Sequence, residues 1–200
     1  MNCYEIGTKS TIAKELYDYA FDSQPWFPHY NFNVKPVPPK LIAQDNFFKW
    51  LHARYGFVVG VLKLDPYSCY DWHTDTRRGV GINMLLTPFD RSICAFAPDK
   101  EGVVFEIEEL KYKPLTYYVF NTQVPHTVYN FETTRYLMSV EFAKDKDELT
   151  FEDLVKDIRT HYEKNFDLIY INKKPSDDVS PHLHEYELNK STGEVQKKEV

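Results

Sequence analysis

Cysteine is scarce in this 200-residue chain: Cys3, Cys69 and Cys94 stand far apart and form no C-x-x-C pair. That excludes a disulfide-built scaffold and a zinc knuckle, and a reducing, cytoplasmic setting is expected. Long apolar runs are missing too. None approaches the ~18 residues that a membrane span needs, so no membrane partner is expected. The first residues, MNCYEIGTKSTIAKELY, are polar and partly acidic, which does not fit a signal peptide. Basic excess is absent as well: the net charge is −6 and the pI about 5.6. This argues against an unspecific nucleic-acid binder, although a local basic groove is compatible with an acidic total. Glycine is sparse, 7 residues against 15 Tyr and 14 Phe. Aromatic and β-branched residues suit pleated, half-buried surfaces, so the balance leans toward sheet.

The length suits one domain with enough chain to bury a core. Residues 10–22 open with a Ser/Thr cap candidate, and Ile12, Leu16 and Tyr19 follow at helical spacing. Residues 23–40 carry five of the twelve prolines, which predicts an extended, irregular segment and no helix. QDNFFKWLHARYG (44–56) reads as a second helix, capped by Asp45 or Asn46 and stopped at Gly56. Seven short runs rich in β-branched and aromatic residues then follow: 57–64, 79–86, 92–97, 103–110, 115–121, 126–131 and 135–142. Turn residues separate them, the pattern of a sandwich or barrel. Thr150 and Asp153 form a capping-box pattern ahead of an apolar stripe at Phe151, Leu154, Val155 and Ile158. The last ~25 residues are polar and aperiodic, the composition of an extended or partly disordered tail. The expected organisation is a helical and Pro-rich framing segment (1–56), a β core (57–142), and a C-terminal helix and tail (143–200), together one structural domain.

The stretch YDWHTDT (70–76) sets His73 and Asp75 two residues apart where an apolar run gives way to polar residues. His126 lies 126 − 73 = 53 residues further on. Two imidazoles and one carboxylate, the first two from an H-x-D turn, make up the facial triad of non-heme Fe(II) oxygenases. Such a set leaves three open positions on the metal, enough for a bidentate 2-oxoacid and dioxygen. A polar turn with a chance downstream histidine is the alternative reading of the same residues. Arg135 stands nine residues after His126, and Ser139 four after that. In a strand, 135, 137 and 139 share one face, while Tyr136, Met138, Val140 and Phe142 share the apolar other. A buried inward arginine requires an anion, either an Asp or Glu on a neighbouring strand or a bound carboxylate, unless Arg135 sits at a sheet edge in water.

The order His73-x-Asp75, His126, Arg135, Ser139 resembles the 2-oxoglutarate- and Fe(II)-dependent dioxygenases of the prolyl-hydroxylase and aspartyl/asparaginyl-hydroxylase type, over roughly residues 57–142. The resemblance implies a mainly β fold with flanking helices, a double-stranded β-helix (jelly-roll, cupin-like). It implies Fe(II) held by His73, Asp75 and His126. It also implies that 2-oxoglutarate chelates the iron and is anchored on Arg135, with Ser139 assisting. Asn83, ten residues after His73, and Tyr70, just ahead of H-x-D, are further candidates for contact with the cosubstrate or ligand shell. The implied activity is hydroxylation of an unactivated C–H bond with 2-oxoglutarate and O2 as partners. The primary substrate stays open, with a protein side chain or small molecule favoured over nucleic acid. The chain departs from the family at Lys63-Leu64-Asp65-Pro66-Tyr67, where a Tyr followed by Pro-Gly is frequent, so the second 2-oxoglutarate contact is unassigned.

Trp72, Arg77 and Arg78 flank the triad as substrate contacts or as ordinary packing and solvent-facing residues. His182-x-His184 beside Glu185 lies in the polar tail and reads as solvated. Two other functions fit the same elements. One is a cupin-like metal enzyme without 2-oxoglutarate, which has no need of Arg135; the other is a jelly-roll interaction module without a metal.

Overall fold

The computed structural model describes residues 1–88, 91–100, 103–104, 106–164, 186–188 and 195–197. Its centre is two facing antiparallel sheets, with strands numbered in chain order. The larger has seven strands, in the order β1 (Cys3–Lys9), β11 (Thr116–Asn121), β6 (Val80–Leu85), β13 (Arg135–Phe142), β4 (Phe57–Leu64), β3 (Phe32–Pro36) and β2 (Phe27–His29). The smaller has four: β10 (Glu108–Glu109), β7 (Ser92–Phe96), β12 (His126–Asn130) and β5 (Ser68–His73). Two short hairpins stand apart, β8 (Asp99–Lys100) with β9 (Val103–Val104), and β14 (Tyr186–Leu188) with β15 (Val195–Lys197). This is the jelly-roll expected, framed by helices α1 (Ala13–Ala20), α2 (Pro39–Ile42), α3 (Asn46–His52) and α4 (Phe151–Asp157), the last running on into a π-helical turn over Ile158–Glu163. Among the described residues no helix is long and apolar enough to cross a membrane.

The two faces of β13 divide as its alternation predicts. Met138, Val140 and Phe142 are buried against the helices with Leu16, Phe47, Phe48, Leu51, Leu154 and Ile158. Arg135, Leu137 and Ser139 face the space between the sheets. A second, smaller cluster fills part of that space with Cys94, Phe96, Leu110, Tyr118 and Phe120. The capping box at Thr150 and Asp153 is present in both directions.

Four strands of the two facing sheets, β1, β2, β3 and β5, were not anticipated from the sequence, nor were β8, β14 and β15 outside them. β1 pairs with β11, and the N-terminal framing segment supplies three strands to the large sheet. Within the Pro-rich stretch, β2 and β3 form an edge hairpin and α2 begins at Pro39, against the expectation of an irregular segment without helix. Pro at the first turn of a helix forfeits no intrahelical bond, and prolines at a sheet edge forfeit few ladder bonds. β5 ends on His73, the first residue of H-x-D. The run 103–110 is broken, with β9 and β10 at its ends. Helix α1 starts later than expected and its N-cap, Ile12, makes no side-chain cap bond; Ser10 Oγ accepts from Ile12 N instead (3.2 Å). His182-x-His184 and all of the expected polar tail except β14 and β15 fall outside the described residues.

Two buried charges hold the frame. Lys35, on the helix side of β3, is fully buried. Its Nζ lies within 3.2 Å of the carbonyls of Tyr19, Ala20 and Asp22 and of Asp22 Oδ1. It therefore satisfies the carbonyls left open at the C-terminus of α1. Asp45 caps α3 through Oδ1, which accepts from Phe47 N (2.9 Å) and Phe48 N (3.4 Å). Its Oδ2 accepts from Thr11 N (2.9 Å), Thr11 Oγ1 (2.9 Å) and Tyr117 Oη (3.1 Å). Five donors thus share one carboxylate that is 2 % exposed, which offsets its desolvation. Replacing it removes a cap and strands buried donors, so Asp45→Ala is expected to lower unfolding free energy by about 3 kcal/mol, read from the urea midpoint.

Candidate metal centre and anion pocket

The ladder between β5 and β12 contains one irregularity, and the site is built on it. Val128 pairs with Tyr70, but His126 pairs with His73, so β5 holds one more residue than β12 across this interval. The extra residue is a bulge at Asp71–Trp72, where two successive side chains are exposed. It lets Tyr70 and His73 face inward although they are an odd number of residues apart. Their ring centroids are 4.0 Å apart. In an unbulged ladder His126 would pair with Trp72.

His73, Asp75 and His126 converge, with one ligand atom from each within 4.8 Å of the others. The two imidazole centroids are 4.2 Å apart, and His73 Nε2 is 3.7 Å from Asp75 Oδ1. Each ring is oriented by a backbone carbonyl two residues earlier: Nδ1 of His73 lies 2.6 Å from Asp71 O, and Nδ1 of His126 lies 2.9 Å from Val124 O. A proton on Nδ1 leaves Nε2 as the lone-pair nitrogen, the arrangement of metal-ligating histidines. His73 Nε2 is buried and has no hydrogen-bond partner among the described residues. Burial pushes the pKa of His126 down to about 4, partly opposed by the bond to Val124. The ring is neutral, as a ligand must be. Asp75 Oδ2 is occupied by Arg78, and Asp75 N donates to Thr122 O (3.0 Å). These donors fit a divalent metal: three ligands on one face, no thiolate, and an orphaned nitrogen where an ion would sit.

Between the sheets from the triad lies Arg135, 5 % exposed. Its Nε donates to Ser92 Oγ (3.0 Å), and its guanidinium carbon is 5.6 Å from the Tyr112 ring centroid. Its Nη2 is buried without a hydrogen-bond partner among the described residues, as are Asn83 Oδ1 and Tyr112 Oη. No ion pair to Arg135 occurs among the described residues, so the neighbouring-carboxylate reading of this arginine is not met. Burial raises the Tyr112 phenol well above its usual range, so it is a donor at neutral pH.

The other predicted residues are placed as follows. Asn83 lies on β6 between Tyr118 and Ser139 in register. Ser139 shares the inward face with Arg135 but is four residues along the strand, about 13 Å, with Leu137 between them. The hydroxyl that touches Arg135 is Ser92, on the facing sheet, and not Ser139. Tyr70 is packed on His73, Phe32 and Tyr30. Trp72 is 38 % exposed on the bulge. Sequence reasoning missed Tyr112 and Ser92. Tyr112 sits in the loop before β11, where no periodicity marks an inward side chain, and Ser92 is the first residue of an ordinary strand. An open cleft of about 1730 Å³ joins the triad, Arg135, Asn83 and Tyr112 to the β2–β3 hairpin and to Glu141, whose carboxyl burial pushes up.

No family model matches the chain, and no curated protein matches it in sequence. Its fold is similar to solved structures. A prolyl-4-hydroxylase from Pseudomonas putida superposes with a TM-score of 0.52 at 16 % identity, over 70 % of this chain and 90 % of that one. HygX from Streptomyces hygroscopicus, solved with nickel, 2-oxoglutarate and hygromycin B, gives 0.49 at 12 %, over 70 % and 81 %. A Trichoplax adhaerens prolyl hydroxylase, in complex with a hypoxia inducible factor peptide fragment, gives 0.49 at 14 %, over 72 % and 78 %. At the level of fold the chain is thus similar to a prolyl-4-hydroxylase, one of the enzyme types its motifs resemble.

Proposed function

We propose that the chain is an Fe(II)- and 2-oxoglutarate-dependent oxygenase that hydroxylates an unactivated C–H bond. The observation that carries this reading is Arg135: a buried guanidinium with an unpartnered Nη2, opening into the same cleft as three converging metal ligands. Leaving a buried cation without an anion is costly, so the pocket calls for a carboxylate from outside the chain. A cupin-like metal enzyme without 2-oxoglutarate leaves that arginine unexplained. An interaction module without a metal leaves the orphaned His73 Nε2 unexplained as well.

When bound, iron and 2-oxoglutarate supply the oxidising chemistry, with oxidative decarboxylation of the 2-oxoacid coupled to hydroxylation of the substrate. The remaining work falls to side chains. His73, Asp75 and His126 hold Fe(II) on one face. Arg135 pairs with the distal carboxylate of 2-oxoglutarate, and Ser92 fixes the guanidinium fork through Nε. Tyr112 Oη is the second contact, taking the role left open by the departure at 63–67. Asn83 lies within reach of the same ligand, Ser139 lines the passage toward the metal, and Tyr70 buttresses His73. Phe96 and Phe120, packed on His126, keep the metal end of the cleft apolar and dry. The substrate approaches from the open side of the cleft.

Anaerobic addition of Fe(II) and then 2-oxoglutarate should produce the visible charge-transfer band of a chelated 2-oxoacid, dependent on both components. His126→Ala should abolish the band and stoichiometric metal uptake. Arg135→Gln should keep metal uptake unchanged but raise the 2-oxoglutarate Kd about 10–100-fold, the worth of one charge-assisted hydrogen bond at 1.5–3 kcal/mol. Metal uptake without any band would favour the cupin-like enzyme. An Arg135→Gln protein that binds 2-oxoglutarate as tightly as the parent would refute the anchor.

A further inference from the structure

Arg78 folds back onto the carboxylate of the triad. Its Nε is 2.8 Å and its Nη2 2.7 Å from the same oxygen, Asp75 Oδ2. The other oxygen, Oδ1, is the one directed at His73 Nε2. The segment that carries Arg78 is pinned at several points. Arg77 O accepts from Lys146 N (2.7 Å), and Arg78 O accepts from Gln123 Nε2 (2.7 Å) and Thr122 Oγ1 (2.5 Å). Gly79 is seated where a Cβ would come 2.4 Å from Leu149 O, so the chain has one way to pass there. The guanidinium lies over the large sheet at Gly81, where a Cβ would stand 4.0 Å from Nη1. Gly81 pairs with Glu141, whose carboxylate is close enough to act electrostatically on the same guanidinium.

We propose that Arg78 is a positioning residue for the metal centre: by holding Asp75 Oδ2 in a two-donor grip, it restricts Asp75 to a single ligand oxygen, Oδ1. The inference rests on the triad reading above and adds to it. A carboxylate held by a metal alone can rotate and offer both oxygens, which consumes a position that 2-oxoglutarate or O2 needs. Two donors on one oxygen remove that freedom. A cation this close also repels a divalent ion, an effect that acts in the opposite direction. Glu141 lies near enough to the guanidinium to offset part of that charge, so orientation is taken as the larger effect. Lysine cannot substitute fully, because an ammonium lacks the planar fork.

The test uses Co(II), whose visible bands report coordination, on the full chain and its Arg78→Ala and Arg78→Lys variants, with folding followed by circular dichroism. Loss of a partner that orients a ligand costs about 10–100-fold in metal affinity. Arg78→Ala is therefore expected to bind Co(II) that much more weakly and with altered bands, and added guanidinium ion should restore part of the loss. Arg78→Lys should fall between. If Arg78→Ala binds Co(II) as tightly as the parent with the same bands, the inference is wrong. Should Arg78→Ala fail to fold, Arg78→Lys decides, and unchanged affinity and bands overturn the proposal. A parent chain that takes up no Co(II) refutes the triad itself, and this inference with it.

Discussion

The pairing of His126 opposite His73 is the constraint on which the rest of the site depends. In a regular ladder every side chain alternates, and a slip of one residue turns an entire strand face outward. The bulge at Asp71–Trp72 makes that slip once, locally, and in the useful direction. Upstream of it β5 keeps its regular register, with Ser68 opposite Asn130. Downstream, His73 is turned inward toward His126, and Asp75 follows two residues later with its amide tied to Thr122 O. The same kink brings Asp71 O within reach of His73 Nδ1. One inserted residue therefore sets both the position of the imidazole and the nitrogen it presents.

Buried charge is handled in two contrasting ways. Lys35 is surrounded by four oxygens and Asp45 by five donors, so these groups serve the frame and have no capacity left over. Arg78 and Asp75 satisfy one another through a single oxygen, leaving Oδ1 directed at His73 Nε2. Arg135 is left with one side-chain bond, to a neutral hydroxyl. Of the five buried side-chain polar atoms without a partner among the described residues, those of His73, Asn83, Tyr112 and Arg135 share one cleft, and the fifth, Trp50 Nε1, lies outside it. That asymmetry is why the orphaned atoms of His73, Asn83, Tyr112 and Arg135 are read as a binding site and not as packing defects.

Much of this was legible in the sequence because alternation and capping are local. The two faces of β13, the Asp45 cap, the capping box at Thr150 and most core strands follow from neighbours within a few residues. The triad and Arg135 were legible because residue type, order and strand direction constrain them jointly. Long-range and irregular features were not. β1 has no periodicity strong enough to separate it from a loop, and it becomes a strand because β11 offers an open edge. The Pro-rich segment forms strands because β4 has an unpaired side and Lys35 ties β3 to the end of α1. Tyr112 and Ser92 reach Arg135 from across the sandwich, and no spacing along the chain encodes that. The bulge in YDWH is visible only as register.

The two sheets differ in width, and this separates the two ends of the cleft. The large sheet continues past β4 into β3 and β2, whereas the small sheet ends at β5. Where the sheets overlap, Arg135 is buried beside Tyr112 and Ser92, and Phe96 and Phe120 pack on His126. Where the large sheet projects, Phe32 and Val34 of β3 and Leu62 of β4 line a cleft that solvent reaches. On the proposed reading the cosubstrate belongs to the closed end and the primary substrate to the open one, with the metal at the junction. A substrate seated over that junction would cover the passage past Leu137 and Ser139, so 2-oxoglutarate has to be in place before it. The order of binding then follows from the width of the sheets: the closed pocket is filled first because its access lies beneath the open one.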